Sequence, residues 1–141
     1  MRVLRAAAAY AAAAFAFGFL LGTIRALLVV PRLGDVRAAM LEVWIMLAAS
    51  WRICGWCMER LGVSPKRKVR VAVGALAFLF LIAFEAILGV LLLGRSASEQ
   101  LQSFTAPAGL IGLGAQLLFA AMPTLHAARD ERRKRGGRGR D

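Results

Sequence analysis

Three charged side chains interrupt long apolar stretches of this chain: Arg25, Glu42 and Glu85. A charge placed in the hydrocarbon of a membrane costs at least ~2.5–3.5 kcal/mol on insertion scales, and such residues are commonly paired or functional. At ~1.5 Å per helical residue, Arg25 and Glu42 lie roughly 7 Å and roughly 6 Å from the same end of consecutive helices, which predicts an ion pair. Glu85 lies near the midplane, where Gln116, Ser50 and the long arm of Arg25 are its candidate partners.

These residues allow two interpretations. The first is a buried proton or ion site, in which Glu85 titrates and Arg25 or Gln116 adjusts its pKa. The candidate residues of such a site are Glu85, Arg25, Glu42 and Gln116. The second is a static polar cluster that holds a helical bundle together or meets the helix of a partner. For Arg25 and Glu42 we favour the static interpretation, whereas both interpretations stay open for Glu85.

The two cysteines, Cys54 and Cys57, have the C-x-x-C spacing of redox and metal motifs. On a helix the two thiols share a face and would supply half of a zinc site. The chain has no second such pair, and Met58 rather than a histidine follows Cys57, which excludes the signature of c-type haem attachment. We therefore expect ordinary cysteines near the membrane interface, with no metal and no cofactor.

Catalytic residues are scarce in this sequence. The single histidine, His126, is expected at the membrane edge, and we find no Ser/His/Asp set or cluster of metal ligands. We therefore expect that the protein is not an enzyme.

The elements that position these residues are long apolar blocks. Hydrophobic residues make up 60% of the 141-residue chain, whereas soluble domains usually contain about 45–50%. Blocks of about the length of a membrane span occupy residues 6–30, 38–58, 71–94 and 104–126. The pattern predicts an all-α polytopic membrane protein, with one four-helix transmembrane domain over residues 1–128.

The distribution of Lys and Arg predicts the orientation. The N-terminus carries two of them, the middle connection five and the tail seven, whereas the other two connections carry three between them. By the positive-inside rule, both termini and the middle connection are cytoplasmic. We expect the membrane to be a bacterial inner membrane. Basic residues beside helix ends favour anionic lipid headgroups. We expect this role for Lys66, Arg67, Lys68, Arg70, Arg132, Arg133, Lys134 and Arg135.

The last segment, residues 129–141, is basic, contains glycine and lacks apolar periodicity, so the sequence predicts a disordered cytoplasmic tail. Its composition also suggests nucleic-acid binding. However, no aromatic residue is interleaved to stack on bases, so we expect no nucleic-acid partner.

Small residues recur at the spacing that allows two helices to approach closely. Gly18 and Gly22 form a G-x-x-x-G motif in the first block, and Ala108 and Gly112 repeat the spacing in the fourth. The motif is compatible with packing inside the bundle and with a dimer.

Part of the chain resembles a known family. The segments Gly22-Thr23-Ile24-Arg25 and Pro31-Arg32-Leu33-Gly34, followed by Glu42, resemble a pattern in small four-span proteobacterial inner-membrane proteins. The resemblance covers roughly residues 15–52. The resemblance implies the four-span topology and a role for Arg25 with Glu42. It implies nothing about a reaction, because that family has no established activity.

Two functions fit these observations. The compact four-span body and the small-residue faces favour an accessory, scaffold or assembly subunit of a larger membrane complex. The alternative is a small proton- or ion-coupled transporter or channel that uses Glu85. Four helices enclose little room for a solute, so this alternative requires a homo-oligomer.

Overall fold

The computed structural model describes residues 1–91, 94 and 96–137, and every regular element within them is a helix. The helices are α1 (Arg2–Leu33), α2 (Asp35–Arg60), α3 (Arg67–Leu91), α4 (Ala97–Thr105) and α5 (Pro107–Gly137). Helices α1, α2, α3 and α5 make four candidate spans, each long and apolar enough to cross a membrane. The predicted all-α architecture with four such helices is confirmed.

The helix ends differ from the apolar block ends by several residues. α1 and α2 extend beyond the predicted 6–30 and 38–58 in both directions, and α3 begins at Arg67 rather than at residue 71. α5 begins at Pro107 rather than at residue 104 and continues to Gly137. The sequence predicts a disordered tail from residue 129, whereas the structure describes residues 129–137 as the end of α5. Residues 138–141 lie outside the described residues. Arg, Lys and Glu are good helix formers, and extending an existing helix needs no new nucleus.

The short helix α4 was not predicted. Its N-terminus has a capping box, in which the Ser96 hydroxyl accepts a hydrogen bond from the Glu99 backbone N–H, and the Glu99 carboxylate accepts one from the Ser96 N–H. The spacing S-x-x-E is a known start signal for a helix. The signal was therefore visible in the sequence, in the connection between the third and fourth predicted spans.

The four long helices are arranged as a ring. α1 packs against α2 and α3, and α5 packs against the same two helices, so the order around the bundle is α1, α2, α5, α3. The alanines of α1 explain its close packing, since Ala7, Ala11 and Ala14 recur on one face and are fully buried. Small side chains of this kind let two helix backbones approach each other in a membrane.

Tyr10 crosses the centre of this ring. Its fully buried ring stacks on Phe119 of α5 at a centroid distance of 4.1 Å, and its hydroxyl donates to the Phe119 carbonyl at 3.1 Å. That carbonyl lacks its usual helical donor, because residue 123 is a proline and has no N–H. α5 nevertheless continues through Pro123.

Pro31 has a comparable effect near the end of α1. A proline at this position cannot donate to the carbonyl of Leu27 and crowds it. The preceding turn, Arg25–Val29, is π-helical, and the Val30 N–H bonds to the Arg25 carbonyl. The extra residue in this turn accommodates the proline, and the helix continues to Leu33.

Gly74 lies at a tight contact between α3 and α5. A Cβ at this position would overlap the carbonyl oxygen of Ala120, a residue in the helical turn before Pro123. In contrast, a Cβ at Gly114 would meet no atom within 4 Å. Both glycines lie inside helices, but only Gly74 has no room for a side chain.

We expect Gly74→Ala to destabilise the bundle by about 1–3 kcal/mol, because the backbone of α5 must move to admit the methyl group. Gly114→Ala is the matched control and should change the stability by less than ~1 kcal/mol. Helical circular dichroism during unfolding in mixed micelles measures both. Equal effects of the two substitutions would show that the α3–α5 contact is not tight.

Candidate functional site

Arg25 and Glu42 form the ion pair that their sequence positions predict. The Arg25 Nε of α1 lies 2.7 Å from Oε2 of Glu42 on α2, and both side chains are partly buried. The Nε–H is not aligned on that oxygen as a hydrogen bond, so the contact is mainly an attraction between charges. The pair joins two helices that are consecutive in the chain.

The G-x-x-x-G motif of α1 lies at the same interface. A Cβ on Gly22 would stand 3.5 Å from Oε1 of Glu42, and one on Gly18 would stand 3.1 Å from the terminal methyl of Met46. These glycines therefore face α2 within the same chain. The sequence left open whether they serve the bundle or a dimer, and the geometry places them inside the bundle.

Glu85 is held by Gln116, one of its candidate partners. The Gln116 Nε2 of α5 lies 2.6 Å and 2.7 Å from the two carboxylate oxygens of Glu85 on α3. The other amide atom, Oε1 of Gln116, is buried and has no hydrogen-bond partner among the described residues. Arg25, the one charged residue among the candidate partners, pairs with Glu42 instead.

These two pairs form separate sites. Arg25–Glu42 joins α1 to α2, whereas Glu85–Gln116 joins α3 to α5, so they lie at opposite edges of the ring. Phe84 contacts Phe15, which places Glu85 near the level of Phe15. About 15 Å of helix separates Phe15 from Arg25 at ~1.5 Å per residue. The four residues therefore form two separate interhelical contacts and not one cluster.

Cys54 and Cys57 lie in the core of the bundle. Both are free thiols, both are buried, and they belong to the same cluster as Tyr10 and Met58. The described residues contain no group of three or more His, Cys, Asp and Glu side chains that would hold a metal ion. In this position the two side chains act as small hydrophobic groups.

His126 packs over the same part of α2. Its ring stacks on Trp51 at a centroid distance of 3.9 Å, and its Nε2 donates to the Trp51 carbonyl at 3.1 Å. A Cβ on Gly55 would approach the imidazole Cε1 to 3.1 Å, so this glycine leaves room for the ring. Sequence reasoning missed the contact, because no local signal links residues that are far apart in the chain.

Arg70 does not face lipid, which corrects its predicted role. Its side chain is 5% exposed, and the guanidinium donates from Nε to the Ser64 carbonyl and from Nη2 to the Val63 carbonyl. The turn between α2 and α3 leaves these carbonyls without helical donors, and the arginine folds back to satisfy them. Of the other predicted lipid-facing residues, four are exposed: Lys66, Arg67, Lys68 and Arg132. The structure does not describe the side chains of Arg133, Lys134 and Arg135.

No family model matches this chain, and neither a curated protein nor a solved structure is similar enough to match it. The resemblance over residues 15–52 therefore stays a prediction. Any functional conclusion depends on the geometry of the chain itself.

Arg25→Leu should leave the Glu42 carboxyl without its partner and destabilise the bundle by about 2.5–3.5 kcal/mol. The double variant Arg25→Leu/Glu42→Leu should recover most of that loss, because it removes both charges. Unfolding of the single and double variants in mixed micelles measures the coupling between the two residues.

Arg32→Leu is the control for this pair, since Arg32 is exposed near the end of the same helix. It should change the stability by no more than about 0.5 kcal/mol. If the effects of Arg25→Leu and Glu42→Leu simply add in the double variant, the ion pair does not join α1 to α2.

Proposed function

We propose that this chain is a multi-pass protein of a bacterial inner membrane, with both termini in the cytoplasm. Its four candidate spans support the membrane location. The orientation is supported by the concentration of Lys and Arg at the N-terminus, between α2 and α3, and in the last segment.

Reporter fusions test the orientation. Green fluorescent protein joined after Ser64 should fluoresce, and alkaline phosphatase joined there should be inactive, because this connection is cytoplasmic in our proposal. The same reporters joined after Gly34 should give the opposite result, and this position serves as the matched control. The reverse pattern at the two positions would exclude an orientation with both termini inside.

Within that membrane, we propose that the protein is an accessory, scaffold or assembly subunit of a larger complex. The observation that supports it most directly is that Arg25, Glu42 and Glu85 each have a partner on a neighbouring helix of the same chain. Polar groups used in this way stabilise one arrangement of the helices. A rigid body of this kind is suited to binding other membrane proteins, and anionic lipids attracted by Lys66, Arg67 and Lys68 would surround it.

The small-residue face of α5 indicates where a partner helix would pack. A Cβ added to Gly112 or to Gly114 would meet no atom within 4 Å, so neither glycine is used inside the bundle. In this respect they differ from Gly18 and Gly22, which face α2. An open face of this type allows close approach of a second helix, from another protein or from another copy of this chain.

Purification of the tagged protein from native membranes in mild detergent tests the subunit proposal. We expect a stoichiometric membrane partner in the purified particle. Gly112→Leu should reduce its recovery at least about tenfold, because a side chain would block the close helix contact. Leu117→Ile, at an exposed position on α5, is the control. Gly62→Ala is not used as a control, because Gly62 has a positive φ. Elution as a defined homo-oligomer without other proteins would contradict the subunit role.

The second candidate function is a proton- or ion-coupled transporter or channel centred on Glu85. It is favoured by the buried, unpartnered Oε1 of Gln116 beside the Glu85 carboxylate, since these oxygens together resemble part of a cation or proton site. Flux measured in liposomes, with Glu85→Gln as the inactive variant, separates this function from the first. A subunit without transport activity would show no flux that depends on Glu85.

A further inference from the structure

A cleft rich in arginine opens at the end of the bundle where α1 begins and α2 ends. It has a volume of about 370 Å³ and is lined by Arg2, Arg5, Arg60, Leu61 and Gly62. Arginine supplies three of the five lining residues, and no acidic side chain is among them. None of these three arginines forms an ion pair with a carboxylate of another described residue.

The local structure brings the three arginines to the lining of one cleft. Arg2 and Arg5 are three residues apart in the first turns of α1 and therefore share a helix face. Arg60 lies in the last turn of α2, with its guanidinium carbon 5.8 Å from the centre of the Trp56 ring. Gly62 has a φ of +57° and turns the chain away without a side chain that would fill the cleft.

The electrostatics of this cleft favour an anion. Three like charges around one space repel each other, and a bound anion relieves that repulsion. The N-terminus of α1 adds a partial positive charge, whereas the C-terminus of α2 adds a partial negative charge of similar size, so the two dipoles largely cancel. The full charges of the arginines therefore determine the sign of the potential.

The chemistry of the lining indicates a phosphate group. A guanidinium presents paired N–H donors in a planar fork that matches the oxygens of phosphate. The cleft lies at the level where the candidate spans end, and Trp56, which is 59% exposed, lies beside Arg60. Tryptophan is enriched at this depth of a bilayer, where one side of its ring meets lipid chains.

We propose that the Arg2–Arg5–Arg60 cleft binds the phosphate headgroup of an anionic phospholipid. This site differs from the diffuse attraction expected of Lys66, Arg67 and Lys68, because it requires three cations around one cavity. It does not depend on the subunit role or on the transport role of the protein. Its ligand chemistry is shared by free phosphate, so the experiment includes both sources.

Titration of the full-length protein in mild detergent with phosphatidylglycerol tests the proposal, with bound lipid counted by native mass spectrometry. We expect about one high-affinity lipid per chain. The variant Arg2→Gln/Arg5→Gln/Arg60→Gln should weaken its binding about 100-fold, at about fivefold for each cation. Arg60→Lys keeps the charge but loses the planar fork, and it should weaken binding about threefold.

The matched control is Lys66→Gln/Arg67→Gln/Lys68→Gln, which removes three exposed cations outside the cleft. It should weaken this binding less than about threefold, because diffuse charge acts weakly at one bound headgroup. Circular dichroism verifies that both triple variants keep their helix content. If the cleft variant does not fold, Arg60→Lys still measures the contribution of the site.

Two further ligands identify what the cleft recognises. Phosphatidylcholine, which is zwitterionic, should bind at least about tenfold more weakly than phosphatidylglycerol, since its choline opposes the arginines. Competition by inorganic phosphate would support direct recognition of the phosphate group. Binding of inorganic phosphate without binding of phosphatidylglycerol would overturn the lipid assignment, as would equal losses in the two triple variants.

Discussion

The hydrogen bond between Tyr10 and the Phe119 carbonyl is the interaction on which the rest of the bundle depends. Pro123 deprives that carbonyl of its helical donor, and in hydrocarbon no water replaces it. The Tyr10 hydroxyl of α1, on the opposite side of the ring, donates the missing hydrogen bond to that carbonyl. For Tyr10 to reach across, the surrounding residues must be small, which explains the buried alanines of α1 and the close contact of Gly74 with α5. The packing around Pro123 is therefore consistent with the requirement to satisfy one carbonyl.

The same requirement accounts for the polar pairs in the rest of the molecule. A charge or amide in a membrane is stabilised by a partner, and the nearest partners lie on adjacent helices. Arg25–Glu42 and Glu85–Gln116 therefore fasten opposite edges of the ring. This arrangement favours a rigid body over a mobile one, and the unpartnered oxygen of Gln116 is the main feature that suggests a further role for Glu85.

Basic residues at the end of the bundle where the N-terminus lies have three different environments, although they are similar in sequence. Arg70 turns inward and satisfies carbonyls of the α2–α3 turn. Lys66, Arg67 and Lys68 remain exposed. Arg2, Arg5 and Arg60 meet around one cleft despite their separation in the chain. A count of positive charges, which is sufficient to propose the orientation, therefore does not describe what each charge does.

The sequence by itself determined the helical class, the approximate positions of the four candidate spans and the pairing of Arg25 with Glu42. Hydropathy is a property of contiguous residues, and these two residues lie at matching depth on helices joined by a short turn. The tertiary structure decided the ring order, the choice of Gln116 for Glu85, the inward turn of Arg70, and the contacts of Tyr10 and His126. Each of these depends on which helices are neighbours in space. Many orders of four apolar helices satisfy the same hydropathy pattern, so only the packed bundle selects among them.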